Sequence, residues 1–141
     1  MDDDCLEIRE YDGEGYQPLI DYGQWRVAFL RYLDDLLAER IERMERHVET
    51  DEVFVLLQGR AMLLLGGNGP GVEAVRPVGM ESGRLYNVKR GAWHAILLSR
   101  DATILLVENR DTGEANTQYS GLSAGLRRQI ADLARGEQIQ A

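Results

Sequence analysis

Between Val53 and Asn109 the chain is a succession of short apolar runs, "VFVLLQ", "RAMLLLG", "VEAVRPV", "RLYNV", "AWHAILLS" and "ATILLVEN". They are separated by Gln58-Gly59, the loop "GGNGPG", Glu81-Ser82-Gly83, Lys89-Arg90-Gly91 and Arg100-Asp101. Each run is too short for a buried helix, and Gly or Asp tolerates the backbone angles of tight turns. Regular alternation of this kind belongs to an antiparallel barrel or sandwich, so the fold class is all-β.

The flanks add less. "WRVAFLRY", residues 25–32, suits an early strand with one wet face, a short helix is predicted within 33–40, and strand character resumes over 41–48. Leu122, Leu126, Ile130 and Leu133 recur at helical spacing behind Ser123, an N-cap residue type, and ahead of Gly136. This predicts a C-terminal amphipathic helix, about 123–135, docked outside a barrel core of about 25–110. The 141 residues are expected to form one domain, 1–141.

Composition excludes several classes of function. Sixteen Lys and Arg stand against 24 Asp and Glu, a formal charge of −8 that repels phosphate backbones, so no nucleic-acid partner is expected. No segment approaches the ~20 apolar residues of a membrane helix. The single cysteine, Cys5, has no intrachain partner to form a disulfide, and a reducing cytoplasmic location is expected. The serines show no nucleophile motif, and "GGNGPG" lacks the Lys-Ser/Thr of a phosphate-binding loop.

His47 and His94 are the only histidines. Alone, each reads as a packed strand histidine making one hydrogen bond. Their company is more informative. Side chains at i and i+2 of a strand share a face, so Glu45 joins His47, Glu52 joins Phe54 and Leu56, and His94 joins Ile96 and Leu98. Glu52 and His94 are thus polar residues on apolar rows, and a buried carboxylate requires a cation beside it. Glu49 and Asp51, out of phase with that face, read as a solvated turn. Trp93 should point away from His94 into outer packing.

These residues resemble a family pattern. Glu45-x-His47, four residues, Glu52, six residues, Gly59 resembles the first cupin motif, His-x-His followed by Glu and Gly. Gly83, five residues, Lys89-x-Gly91, two residues, His94 resembles the second, in which Pro stands at the place of Lys89. The resemblance extends to small, single-domain bacterial cupins. It implies a double-stranded β-helix, or jelly-roll, barrel with a C-terminal helix, and metal-ligand positions at Glu45, His47, Glu52 and His94. Three of the four keep the family residue type; Glu45 replaces a histidine.

Two histidines and a carboxylate suit Fe(II), and a second carboxylate favours Mn or Fe, with Ni and Zn also admissible. Such an ion would fit a lyase, isomerase or dioxygenase acting on a small polar metabolite, with Glu45 as catalytic base should it not itself ligate. Arg26 and Lys89 are candidate anchors for an anionic substrate. The alternative is a non-catalytic, small-ligand-binding cupin that has lost its metal. A third possibility is a mainly structural protein that assembles through its N-terminal arm, "YDGEGYQPLIDYGQW", and a sheet edge; a homodimer is expected on fold analogy rather than on any residue.

Overall fold

The computed structural model describes residues 4–141. Ten strands form two antiparallel five-stranded sheets, followed by one α-helix. The strands are β1 (Gly15–Tyr22), β2 (Trp25–Arg31), β3 (Arg43–His47), β4 (Glu52–Gln58), β5 (Ala61–Leu65), β6 (Arg76–Gly79), β7 (Tyr86–Val88), β8 (His94–Leu98), β9 (Thr103–Asn109) and β10 (Thr117–Gly121); the helix is α1 (Ala124–Gly136). One sheet has the order β1-β2-β9-β4-β7 and the other β10-β3-β8-β5-β6. From β3 to β10 the chain crosses between sheets at nearly every step, the winding of a double-stranded β-helix.

Two apolar layers result. Phe54, Leu56, Leu63, Ile96, Ile104 and Leu106 meet between the sheets. Met44, Met62, Leu64, Trp93, Leu97 and Ile130 meet between the second sheet and α1. Strand β5 is covered on both faces, which explains its unbroken apolar run, whereas β4 leaves Leu57 exposed on its outer side. Trp93 takes the outward position expected of it, 2% exposed. Helix α1 starts where predicted: the Ser123 hydroxyl accepts from the Leu126 amide at 3.2 Å, and fully buried Ile130 seats the apolar stripe on the barrel.

Three local expectations change. The helix within 33–40 is two 3-10 turns, Asp34–Leu36 and Ala38–Arg40, which fold a short connection back toward β3. The barrel strands run beyond 25–110 at both ends, through β1 and β10. Much of the segment read as an assembly arm is β1, paired in register with β2; a bulge between Pro18 and Ile20 breaks the alternation that would have marked it as a strand. Gly59 ends β4 at φ +75°, and a Cβ there would lie 2.7 Å from Ala102 Cα, so only glycine fits the motif position. No helix among the described residues is long and apolar enough to cross a membrane.

Candidate metal and acid-base site

Five strands deliver the site. On β3, Glu45 and His47 face between the sheets, while Arg46 lies outside with its guanidinium 4.2 Å from the Trp93 ring. Strand β8 places His94 directly opposite Glu45. Glu52 opens the inner row of β4, Glu108 ends the inner row of β9 after Ile104 and Leu106, and β1 supplies Tyr16. All six side chains line one cavity of about 590 Å³, walled by Leu30, Phe54, Ile96 and Leu106.

The two histidines converge on one atom. Glu52 Oε1 lies 3.2 Å from His47 Nε2 and 3.1 Å from His94 Nε2. Glu45 Oε1 lies 3.8 Å and 3.9 Å from the same nitrogens, on a side chain that keeps 41% of its exposure. The rings are held from behind: His94 Nδ1 donates to the Ala92 carbonyl at 3.0 Å, and His47 Nδ1 lies 3.0 Å from the Thr117 hydroxyl. Because Ala92 O can only accept, a neutral His94 would aim its Nε2 lone pair at a carboxylate oxygen. A cation must lie between them, either the proton of an imidazolium or a metal ion.

Proton chemistry reflects that arrangement. Burial lowers the affinity of both imidazoles for protons, but the hydrogen bond and charge of Glu52 outweigh it, so both titrate above the usual 6.5. Burial raises Glu52, and the two histidines more than reverse this, bringing it down to about 2. Glu108 behaves oppositely. Burial and the charge of Glu52 push it up to about 7, although the Tyr16 hydroxyl donates to it at 2.6 Å. Tyr16 itself is raised by burial and by Glu108. The cavity therefore holds one carboxylate fixed in the ionised form beside another poised to exchange a proton near neutrality.

The donor set fits a divalent ion. At bond lengths of ~2.1 Å, neighbouring ligand atoms are about 3.0 Å apart in an octahedron and about 3.4 Å in a tetrahedron. The 3.1 and 3.2 Å separations, which are also hydrogen-bond lengths, are compatible with such edges, and the Glu45 carboxylate lies 3.8 and 3.9 Å from the same nitrogens. Two triads, Glu45-His47-His94 and His47-Glu52-Glu108, keep their donor atoms within 4.8 Å. Thr117 and the Ala92 carbonyl orient the rings as outer partners of metal-bound histidines do.

The two candidate anchors lie elsewhere. Arg26 is not part of the cavity wall; it forks onto Asp21 at 2.7 and 3.0 Å. Lys89 is exposed on the turn before β8 and lines a separate groove. The cations at the cavity mouth are Arg40 and Arg43, the latter 3.8 Å above the Tyr119 ring. Glu108 and Tyr16 were missed. Glu108 carries the same signal that singled out Glu52, a carboxylate on the apolar row Ile104, Leu106; Tyr16 carries none, because its strand is irregular. Asp51 is more than a solvated residue: it accepts from the Arg90 amide at 2.7 Å and from Asn87 at 3.1 Å, and its pKa falls through those bonds. With Gly91 N donating to the His47 carbonyl at 2.8 Å, this joins the turn that carries His47 and Glu52 to the turn that leads to His94.

No protein-family model matches the sequence, and no curated protein does. Solved structures match over most of the chain. A cupin-2 domain protein from Shewanella frigidimarina has 14% identity and a TM-score of 0.50, covering 71% of this chain and 85% of its own. Streptomyces Pac13, a nucleoside dehydratase, has 10% identity and a TM-score of 0.52, covering 81% and 85%. WlaRA, the TDP-fucose-3,4-ketoisomerase of Campylobacter jejuni, has 13% identity and a TM-score of 0.52, covering 77% and 72%. At these identities the likeness is one of fold.

Proposed function

The chain has the cupin fold, and from that premise we propose that it is an enzyme of the lyase or isomerase type, moving protons on a small polar metabolite within the barrel. We propose further that His47, His94 and Glu52, with Glu45, hold a divalent ion there. The observation that carries the reading is the convergence of two buried imidazole Nε2 atoms on Glu52 Oε1. That a dehydratase and a ketoisomerase share the fold supports a proton-transfer chemistry but identifies no substrate.

A bound divalent ion would act as a Lewis acid, polarising a carbonyl or hydroxyl of the substrate. The remaining work falls to the protein. Leu30, Phe54, Ile96 and Leu106 exclude water from one side of the substrate. Where His47, His94 and Glu52 alone hold the ion, Glu45, half in solvent, takes a proton from a carbon or oxygen at the mouth. Glu108, tied to the Tyr16 hydroxyl, returns one from the opposite wall. The cavity carries more carboxylates than cations, which suits a donor-rich, uncharged substrate better than a polyanion.

Metal analysis of untagged protein purified without chelator tests the ion. The expected result is near one divalent ion per chain and a higher melting temperature on adding Mn, Fe, Ni or Zn, with both lost in His94→Ala and Glu52→Ala. Less than about a tenth of an ion per chain with no thermal gain overturns it. A second reading, a metal-free barrel that binds a ligand without turnover, is favoured by one feature: protons alone satisfy every buried side-chain polar atom among the described residues. Turnover assays on small carbonyl and hydroxyl compounds separate the two.

A further inference from the structure

Strands β6 and β7 each end a sheet, and a groove of about 990 Å³ runs along the seam between them. It shares no lining residue with the histidine cavity. Leu65, Val78, Tyr86 and Ala92 form its floor, partly buried against the inner core. The glycine-rich loop, residues 66–71, forms one bank and the Lys89-Arg90 turn forms part of the other.

Its charge is unusual for this protein. The chain carries −8 overall, and most of its arginines are engaged: Arg26 with Asp21, Arg60 with Glu137, Arg46 over Trp93, Arg43 over Tyr119. Arg76, Lys89 and Arg90 all line the seam, are exposed, and have no ion pair among the described residues. Glu73 is the only acid on the same lining, leaving an excess of positive charge. The Arg90 amide is anchored to Asp51, whose carboxylate also feels the Lys89 and Arg90 charges without forming an ion pair with either, so the turn is fixed while both side chains stay exposed.

We infer that this seam is a second binding site, for a small organic anion in which a carboxylate or phosphate is carried on an apolar body. The body covers Leu65, Val78 and Tyr86, and the anionic group meets Arg76, Lys89 and Arg90. Apolar burial and a charge-assisted contact act together, which neither a nonpolar molecule nor a bare inorganic anion would exploit. Lys89 thereby serves as an anion anchor, as its sequence position suggested, in a different site.

The probe is 8-anilino-1-naphthalenesulfonate, an apolar aromatic body with one fixed negative charge, titrated by fluorescence into the full chain. We expect saturable one-site binding that weakens about tenfold in a Lys89→Glu/Arg90→Glu variant and in Arg76→Glu. Uncharged N-phenyl-1-naphthylamine should bind about tenfold more weakly than the sulfonate. Displacement by octanoate identifies a carboxylate ligand class and displacement by phenyl phosphate a phosphate class; each supports the site when octanol and phenol do not compete. Any of three results with the monomeric chain overturns it: equal affinity for charged and uncharged dyes, unchanged binding in charge-reversal variants that melt like the native protein, or loss of dye binding in a His94→Ala variant that remains folded. Dye release on raising the protein concentration, with a doubled mass in sedimentation, overturns it in favour of a second copy of the chain.

Discussion

The two concave regions of this barrel carry charge in opposite ways. In the histidine cavity the charged groups are buried and mutually committed: Glu52, His47 and His94 keep less than a tenth of their exposure and bond to one another. At the seam, Arg76, Lys89 and Arg90 are exposed and form no ion pair among the described residues, Lys89 and Arg90 feeling the nearby charge of Asp51. The difference follows from solvation. A buried charge must find its partner within the fold, whereas a surface cation is satisfied by water and can be recruited by a ligand. The cavity is therefore preorganised and sensitive to mutation, and the seam is tolerant of it.

Removing the shared partner in the cavity should produce the largest effect. Glu52→Ala leaves the two imidazoles with only the more distant Glu45 carboxylate, 3.8 and 3.9 Å away, and a neutral His94, fixed by Ala92 O, would turn a bare nitrogen into the hole. We expect a loss of about 2–4 kcal/mol in denaturant unfolding and at least a hundredfold loss of Mn or Zn affinity by calorimetry. A stability change under about 0.5 kcal/mol would place Glu52 with the seam residues, as a solvated charge.

Acidity offers the next separation. Glu52 is depressed, so its contribution is present above the unfolded value of 4.5 and is lost as the pH falls toward 2. His47 and His94 are raised, so theirs is complete below 6.5 and is lost as the pH rises through their folded values. Metal-free protein should thus melt highest between pH 4.5 and 6.5 and lose stability above that. A divalent ion competes with the same protons, so the melting-temperature gain on adding Zn or Mn should grow with pH. A gain independent of pH would place the ion away from the histidines.

Glu108→Gln should be milder. A raised carboxyl favours the fold while protonated, so its ionisation removes stability as the pH climbs from 4.5 to about 7. Glutamine keeps an acceptor for Tyr16 and removes the repulsion with Glu52. We expect the variant to melt a few degrees higher at pH 8, about 1 kcal/mol, and to match the native protein near pH 4.5. If the proposed proton transfer operates, turnover should fall without a comparable change in KM.

Sequence periodicity made much of this legible, and its limits are physical. The row Glu52, Phe54, Leu56 identified an inward carboxylate because period-two alternation fixes the face of every residue in a regular strand. The row Ile104, Leu106, Glu108 contains the same information, but it becomes a site only when β9 is seen between β2 and β4. Tyr16 was hidden by the β1 bulge, and the turns at 34–40 by leucines that serve packing without forming an α-helix. Arg26 and Lys89 lie outside the cavity lining for different reasons. Arg26 already satisfies Asp21, and Lys89 lies on a turn whose register to the cavity depends on where β7 pairs, a long-range fact that no local pattern encodes.

The smallest expected effect is the most direct test of independence between the two regions. Lys89 and Arg90 precede His94 by only a few residues, yet the hydrogen bond that the Arg90 amide donates to Asp51, rather than their side-chain charges, fixes the turn. Exposed charges are largely screened beyond about 10 Å at 0.1 M salt. Lys89→Glu/Arg90→Glu should therefore change metal affinity in the cavity by less than about threefold at that ionic strength. Asp51→Ala, which removes the anchor and leaves both cations, should weaken metal binding more than the double charge reversal does. The reverse order would mean that the cavity senses the seam's charge, and the two regions would have to be treated as one electrostatic unit.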